Sequence, residues 1–303
     1  CGTILEMDDF ATVTLLTGSS EIGQGSETVL AQITAEELGV PMERVRVVNN
    51  DTAITPWDVG VHASRTTFIA GNSARLAAAK ARAKLLAAAG TQLGLAADEL
   101  DIRRGMVVRK ADGEVLKDLA KVIRALHFAD KSEVVITHHY YEPPSQMQDR
   151  SFKGNVSAAY AFATQVAEVE VDLDTGVVKV LRLTAVHDIG RVINRMGAEG
   201  QVQGGLSMGL GYALSEELQL EGGRVRNPSF REYKLITSPE MPELDIVFVE
   251  TVDPEGPYGA KGIGEAPAIC TAPAVANAVR HATGLRCVAL PLTPERVFAE
   301  LQR

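Results

Sequence analysis

The sequence predicts an α+β fold in which both halves of the chain mix sheet with helix. Extended runs rich in β-branched residues alternate with helical runs, without the regular order of repeated strand–helix–strand units. The 303 residues are 46% hydrophobic and 23% charged, which is ample material for a buried core. Because the stretch 140–150 is rich in Pro, Ser and Gln, we expect two mixed lobes, at residues 1–140 and 141–303.

The first lobe is predicted to open with an alternating strand pattern at Cys1 and to continue with two clear helices. Ser26 is the expected N-cap of the first helix, and Gly39 follows its end. The second helix is rich in Ala, and Gly90 is expected to stop it. Strands are expected at 11–16, 45–48 and 133–140, and helices at 26–38, 72–89 and 116–126.

The second lobe is predicted to contain a hairpin, because Asp172 and Gly176 lie between two strand-like runs and suit a tight turn. Thr293 and Pro294 predict the start of a last short helix, since Pro is favoured at the first helical position. Strands are expected at 163–171, 177–186 and 244–250, and helices at 197–214 and 267–282.

Charge and composition narrow the possible functions. The formal net charge is -9 and Lys and Arg are thinly spread, which disfavours a nucleic-acid partner. No apolar stretch has the length of a membrane span, so we expect no membrane partner and a cytoplasmic location. Three cysteines without metal-ligand spacing fit a reducing compartment, and Cys270 is expected to be a buried thiol. A strand pattern that begins at Cys1, with no initiator Met, indicates a piece of a longer enzyme.

The segment 257–267 is the most informative part of the sequence. It places Glu265 among three glycines, directly before a predicted helix, so that its backbone can come close to a ligand. A carboxylate desolvated by such neighbours would suit the work of a general base. The alternative is a glycine-rich turn with a solvated Glu265, and the residues alone leave both interpretations open.

Three further loops could bring backbone N–H groups to an anion. The loop 18–26 joins a strand to a helix, and the loop 62–67 precedes the second helix, where an ordinary N-cap is the alternative. The third runs over 187–205. In it His187 and Asp188 could form an acid–base pair or bind a metal, but a structural hydrogen bond from His187 is the favoured interpretation.

Taken together, the four loops resemble those of the molybdenum hydroxylases, the family of xanthine dehydrogenase, aldehyde oxidoreductase, nicotinate dehydrogenase and 4-hydroxybenzoyl-CoA reductase. The motifs that carry the resemblance are Gly-Gln-Gly at 23–25, Gly-Gln-Val-Gln-Gly at 200–204 and Gly-Ala-Lys-Gly-Ile-Gly-Glu at 259–265. They occur in the family's order over nearly the whole chain and match the C-terminal half of the molybdopterin-binding subunit.

The resemblance implies a role for each loop. Glu265 would be the general base beside the metal, and the pterin rather than any side chain would ligate molybdenum. Gln24 and Gln201 would add side-chain contacts to the cofactor. The implied cofactor-binding residues of the loops are His62, Ala63, Ser64, Arg65, Thr66, Ile189, Gly190, Asn194, Lys261, Gly262, Ile263 and Gly264.

The resemblance also implies cofactors and partners. Molybdopterin is expected in its cytosine dinucleotide form, with iron–sulfur clusters and FAD on partner subunits and the N-terminal half of the molybdopterin subunit fused or separate. The implied reaction is oxidative hydroxylation of an aldehyde or an N-heteroaromatic compound, with water as the oxygen source. Two alternatives stay open: reductive dehydroxylation of an aryl-CoA thioester, and a non-catalytic assembly module.

Overall fold

A computed structural model describes residues 1–129 and 132–302 of the chain. Both of its compact units mix sheet with helix, which confirms the predicted α+β class. The first unit contains Cys1–Tyr160 and Val252–Gly262, and the second contains Ala161–Thr251 and Ile263–Arg303.

The division into units does not follow chain order. Residues 141–160 pack with the first unit, although the sequence suggested a boundary at 140/141. The segment Val252–Gly262 belongs to the first unit, although it follows most of the second unit in the sequence. A boundary read from composition cannot anticipate such a return, because the segment's partners lie far away in the sequence.

The first unit contains two sheets. Its elements are β1 (Gly2–Met7), β2 (Val13–Thr17), α1 (Ser26–Leu38), β3 (Val45–Val48), α2 (Thr66–Leu93), β4 (Leu100–Arg103), β5 (Met106–Arg109), β6 (Val115–Asp118), α3 (Leu119–His127) and β7 (Val135–Tyr140). One sheet has the order β3-β2-β1-β7, with β2 and β3 parallel and the other pairs antiparallel. The other has the order β4-β5-β6.

The core of this unit lies between the larger sheet and helices α1 and α2. Leu5 and Leu15 lie opposite each other in the β1–β2 register and are both 0% exposed. Ala74, Ala77 and Ala81 recur at helical spacing on the buried face of α2. Their small side chains let α2 pack closely, which explains the run of Ala in the sequence.

Two predicted helix boundaries in this unit are wrong. Helix α2 continues through Gly90, where a Cβ would lie only 2.7 Å from the carbonyl oxygen of Leu95, and ends at Gly94 with a φ of 67°. The helix expected over 116–126 begins later, because Asp118 ends β6 and caps α3 by accepting a hydrogen bond from the N–H of Ala120 (2.8 Å). Within the described residues, no helix is long and apolar enough to cross a membrane.

The second unit has a mixed three-stranded sheet of order β12-β9-β8 and a short β10–β11 pair. Strand β8 is antiparallel to β9, and β12 is parallel to it. The elements are β8 (Phe162–Val171), β9 (Val178–Asp188), α4 (Arg195–Leu214), β10 (Leu220–Glu221), β11 (Arg224–Val225), β12 (Glu243–Val249), α5 (Ala266–Ile269), α6 (Thr271–Thr283) and α7 (Pro294–Leu301).

The predicted hairpin is confirmed. Asp172 Oδ1 accepts hydrogen bonds from the N–H groups of Asp174 and Thr175, and Gly176 has a φ of 75°. Thr293 caps α7 as predicted, since its side chain accepts a hydrogen bond from the N–H of Arg296.

The core of the second unit lies where α4 and α6 pack against the sheet. Gly209 of α4 is essential to this packing, because a Cβ there would lie 2.4 Å from the Cβ of Thr271. The helix expected over 267–282 is divided into α5 and α6 at Cys270. Cys270 is only half-buried, so the expectation of a buried thiol is wrong.

Candidate functional site

The turn 62–66 has a strained backbone directly before α2. Ala63 and Ser64 have φ angles of 52° and 54°, the left-handed region that non-glycine residues rarely adopt. Arg65 returns to right-handed geometry as the N-cap of α2. Its Nη1 holds the turn by donating to Asp58 Oδ1 (2.8 Å) and to the carbonyl oxygen of Gly60 (2.9 Å).

Lys261 and Gly262 lie against this turn. A Cβ on Gly262 would lie 1.5 Å from the carbonyl oxygen of Ser64, so only glycine lets the two backbones meet here. Lys261 is 9% exposed, and its Nζ donates to the carbonyl oxygen of Tyr160 (2.8 Å). The first unit thus brings together two of the predicted cofactor loops that are far apart in the sequence.

The N-terminus of α2 differs from those of two other helices in its capping. Its first turn receives no hydrogen bond from the side chain of its N-cap, Arg65. At α4, by contrast, Asn194 Oδ1 accepts a hydrogen bond from the N–H of Gly197 (2.8 Å), and at α1 the carboxylate of Glu21 covers the first turn. A long helix N-terminus behind a left-handed turn suits an anion.

Glu21 closes the loop 18–26 from within. Burial acts to raise the pKa of Glu21, but hydrogen bonds to the carboxylate outweigh it, so the pKa lies below its usual value. The donors, at 2.8 to 3.1 Å, are the N–H groups of Gly23, Gly25 and Glu27 and the hydroxyl of Ser26. Donors expected to meet an external anion therefore meet Glu21, and Gly25 rather than Ser26 is the N-cap of α1.

Gln24 also bonds within this loop. Its Oε1 accepts from the N–H of Ile22 (2.7 Å), and its Nε2 donates to the carbonyl oxygen of Ser20 (3.0 Å). In this conformation the amide stabilises the loop, and a contact between Gln24 and a cofactor stays a prediction.

In the second unit, carboxylates hold the loop between β9 and α4. Asp188 Oδ1 accepts from the N–H of Gly190 (3.1 Å), and its Oδ2 accepts from Thr251 Oγ1 (2.6 Å). Glu250 Oε1 accepts from the N–H of Val192 (2.9 Å). Ile189 is buried at 5% exposure, so its side chain packs inside the protein.

Gln201 lies on α4 beside an open strip of the helix. A Cβ added to either Gly200 or Gly204 would meet no atom of the described residues within 4 Å. Gln201 itself is half-buried. The face of α4 that carries these residues can therefore accept a neighbouring group of atoms at short range.

His187 is buried at 1% exposure next to this loop, on β9. Burial lowers the pKa of His187, which favours the neutral imidazole. Its Nε2 has no hydrogen-bond partner among the described residues, so the predicted structural hydrogen bond is not seen at this atom.

Glu265 differs from the sequence-based expectation. It is the N-cap of the short helix α5, and its side chain is exposed. The described residues therefore do not supply the desolvation that the glycine-rich context suggested. Ile263 and Gly264, the residues just before it, are half-buried.

Over residues 1–129 and 132–302, no three His, Cys, Asp or Glu side chains cluster as a metal site would require.

Sequence reasoning missed that acidic residues hold the loops: it did not single out Glu21 or Asp58, and it considered Asp188 only as an acid–base or metal-binding residue. Each precedes a glycine by two residues, at Gly23, Gly60 and Gly190 respectively. That spacing lets a carboxylate bond the backbone two positions on, and it could have identified them as loop-forming residues.

Residues 2–242 match the family of the molybdopterin cofactor-binding domain, and the chain belongs to this family. The resemblance to the molybdenum hydroxylases is thereby confirmed.

Individual relatives agree with this assignment. The chain is 37% identical to the putative xanthine dehydrogenase molybdenum-binding subunit of Escherichia coli, over 99% of this chain and 39% of that protein. It is 34% identical to the 6-hydroxypseudooxynicotine dehydrogenase complex subunit gamma of Paenarthrobacter nicotinovorans, over 98% of this chain and 37% of that one. Among solved structures, quinoline 2-oxidoreductase from Pseudomonas putida 86 superposes with a TM-score of 0.86 at 29% identity, over 99% of this chain and 38% of its own. The chain thus spans well under half the length of these relatives.

Proposed function

We propose that this chain is the part of a molybdenum hydroxylase that holds the molybdopterin cofactor and supplies the catalytic base. The observation that carries the proposal is the contact of Gly262 with the strained turn at Ser64, directly before the N-terminus of α2. Backbone strain of this kind persists where the surroundings enforce it and is concentrated at functional sites.

The residues of the turn fit the anionic part of such a cofactor. The first N–H groups of α2 carry the positive end of the helix dipole, and Arg65 adds a cation whose geometry is fixed by Asp58. His62, Ala63, Ser64 and Thr66 supply the rest of the cradle, together with Lys261 and Gly262. The cytosine dinucleotide form is our proposal for the pyrophosphate-bearing group.

In the second unit, Ile189, Gly190 and Asn194 are proposed to bind the cofactor through the loop before α4, with Gln201 on the helix itself. The carboxylates of Asp188 and Glu250 give this loop a fixed backbone. When bound, the cofactor supplies the two-electron redox chemistry and the metal.

Glu265 is proposed as the general base, which accepts a proton as oxygen from water is added to the substrate. Because Glu265 is exposed among the described residues, we propose that groups outside the chain desolvate it in the working enzyme. Ile263 and Gly264 bring the backbone to this position.

The proposed substrate is an N-heteroaromatic compound or an aldehyde. Xanthine and quinoline, in the names of two relatives, are nitrogen heterocycles, which favours an N-heteroaromatic substrate. The partners proposed are the remaining part of the molybdopterin subunit, an iron–sulfur subunit and an FAD subunit. The relative from Paenarthrobacter nicotinovorans, which is named as the gamma subunit of a dehydrogenase complex, supports this proposal. The cysteine composition supports a cytoplasmic location.

The test is Glu265→Gln in the assembled enzyme. We expect molybdenum and pterin content to stay at the wild-type level while kcat falls by about 10²- to 10⁴-fold, the usual contribution of a general base. Metal analysis and steady-state kinetics on the same preparation measure both.

Glu170→Gln is the matched control, because Glu170 is exposed on β8 and we assign it no role in the site. It should leave both quantities unchanged. Near-wild-type turnover in a metal-replete Glu265→Gln enzyme would contradict the assigned base. A complete wild-type complex without molybdenum and pterin would instead favour the assembly module.

A further inference from the structure

Tyr258 has a backbone conformation that its side chain disfavours. Its φ of 55° and ψ of 21° lie in the left-handed region, which is costly for a bulky aromatic residue. Such an outlier persists only when other contacts hold it. The residue lies four positions before Gly262, in the segment 252–262 that returns to the first unit.

Two side chains from neighbouring helices hold Tyr258. Its hydroxyl donates to Glu37 Oε2 of α1 at 2.7 Å, and the guanidinium carbon of Arg75 of α2 lies 6.0 Å from the ring centroid. Burial and the hydrogen bond to Glu37 raise the pKa of Tyr258, so the phenol keeps its proton and remains a donor.

The segment before Tyr258 is fixed to α2 as well. Asn72 is 1% exposed, and its Nδ2 donates to the carbonyl oxygen of Glu255 (2.7 Å). A Cβ on Gly71 would lie 2.9 Å from Pro257 Cγ, so the helix surface and the segment are in close contact. The path of the chain that leads into Tyr258 is thus set by contacts with α2.

Beyond Tyr258 the chain runs directly into the cradle. The N–H of Gly259 donates to the carbonyl oxygen of Gly256 (3.0 Å) and that of Ala260 to Pro257 (3.1 Å), which closes a tight turn. Lys261 and Gly262 follow, with Gly262 against Ser64. Release of the phenol would let the residue relax from its strained φ and would redirect the next four positions.

We propose that the hydrogen bond between Tyr258 and Glu37 is a latch that positions Lys261 and Gly262 against the turn 62–66, and that cofactor retention depends on it. Tyr258 and Glu37 are positioning residues, since they act through the loop. The inference rests on the proposed function of that loop.

The experiment uses the assembled holoenzyme with Tyr258→Phe, which keeps the ring over Arg75 and removes the hydroxyl. Loss of a hydrogen bond to a charged acceptor should raise amide exchange of the peptide 253–262 roughly 10-fold or more. The rate at which molybdenum and pterin are lost on dialysis should rise by a similar factor. Exchange mass spectrometry and metal analysis provide readouts independent of turnover.

Tyr233→Phe is the matched control, because Tyr233 also donates to a glutamate, Glu216, at 2.8 Å, but in the second unit. It should match Tyr258→Phe in its effect on thermal unfolding and leave exchange at 253–262 and cofactor loss unchanged. Glu37→Gln keeps an acceptor oxygen and should recover most of what Glu37→Ala loses. If Tyr258→Phe does not fold, the comparison of Glu37→Gln with Glu37→Ala tests the latch instead.

The outcomes separate the two proposals. A wild-type complex without molybdenum and pterin contradicts the function, whereas unchanged exchange in Tyr258→Phe and Glu37→Ala contradicts the latch in an enzyme that does hold cofactor. The latch is also overturned if amide exchange at 253–262 becomes faster while the rate of cofactor loss stays at the wild-type value, because the segment would then move without affecting the cradle.

Discussion

Single carboxylates decide the form of the loops in this protein. Glu21, Asp58 and Asp188 each bond backbone N–H groups or a cation within a few residues, and so give irregular chain a defined course. Gly262 shapes the cradle in a different way, because the absence of a side chain lets its backbone contact that of Ser64. The cradle is therefore built by residues that never need to touch the ligand.

Glu21 makes a pH prediction at this scale. The pKa of Glu21 is lower in the folded chain than in the unfolded chain, where it is near 4.5. Its carboxylate therefore stabilises the fold fully at pH values above 4.5, and this stabilisation is lost as the pH falls through the folded pKa. We expect Glu21→Gln to lower Tm at pH 7 and the difference from wild type to shrink below pH 4.5. Thermal unfolding across pH measures this. A constant difference down to the lowest pH would show that the carboxylate's charge is not responsible.

At the scale of elements, glycines set how closely helices approach. On α4 they divide into a packed set and an open set: Gly209 faces the buried Thr271, while Gly204 faces open space. Thr271 cannot easily move away, because its hydroxyl bonds Gln165 Oε1 and the carbonyl oxygen of Pro267. The same residue type thus has two different tasks on one helix.

A pair of substitutions tests this difference. Gly209→Ala should lower the free energy of unfolding by about 1–3 kcal/mol, since the added methyl group overpacks the contact with α6. Gly204→Ala should be neutral or raise it by up to about 1 kcal/mol, because Ala is the better helix former. Denaturant unfolding of both variants gives the values. Equal effects would mean that helix propensity alone governs α4.

Helix boundaries also belong to this scale. The bounds of the helix Ser26–Leu38 and of the strand Val45–Val48 were predicted to the residue, because a C-terminal glycine such as Gly39 and a β-branched run are local signals, although Gly25 rather than Ser26 is the N-cap. Gly90 misled the prediction for α2. Glycine is present there because a side chain would collide with the carbonyl oxygen of Leu95. That contact lies in the turn that ends the helix, and the glycine that ends α2 is Gly94, which has the positive φ.

For the whole molecule, the central fact is the return of residues 252–262 to the first unit. Tyr258, Asn72 and Gly262 tie this segment to α1, α2 and the turn 62–66. The proposed cofactor cradle therefore depends on chain segments separated by most of the sequence.

Removal of the cofactor tests the cradle as part of the molecule. A ligand that binds only the folded state stabilises it, so the cofactor-free complex should have a lower Tm than the holoenzyme. Amide exchange at 62–68 should rise on removal, while α3, at 119–127, serves as the internal control. Unchanged exchange at 62–68 would place the cofactor away from this turn.

The sequence alone determined the α+β class, the family and most elements, because hydrophobic period, caps and motif order are local properties of a chain. It also indicated which loops to examine. Only the tertiary structure decided that Glu265 is exposed within this chain, that Glu21 covers the N-terminus of α1, and that Tyr258 is held by Glu37. Burial, hydrogen-bond partners and strained angles arise from contacts between distant segments, which no local pattern records.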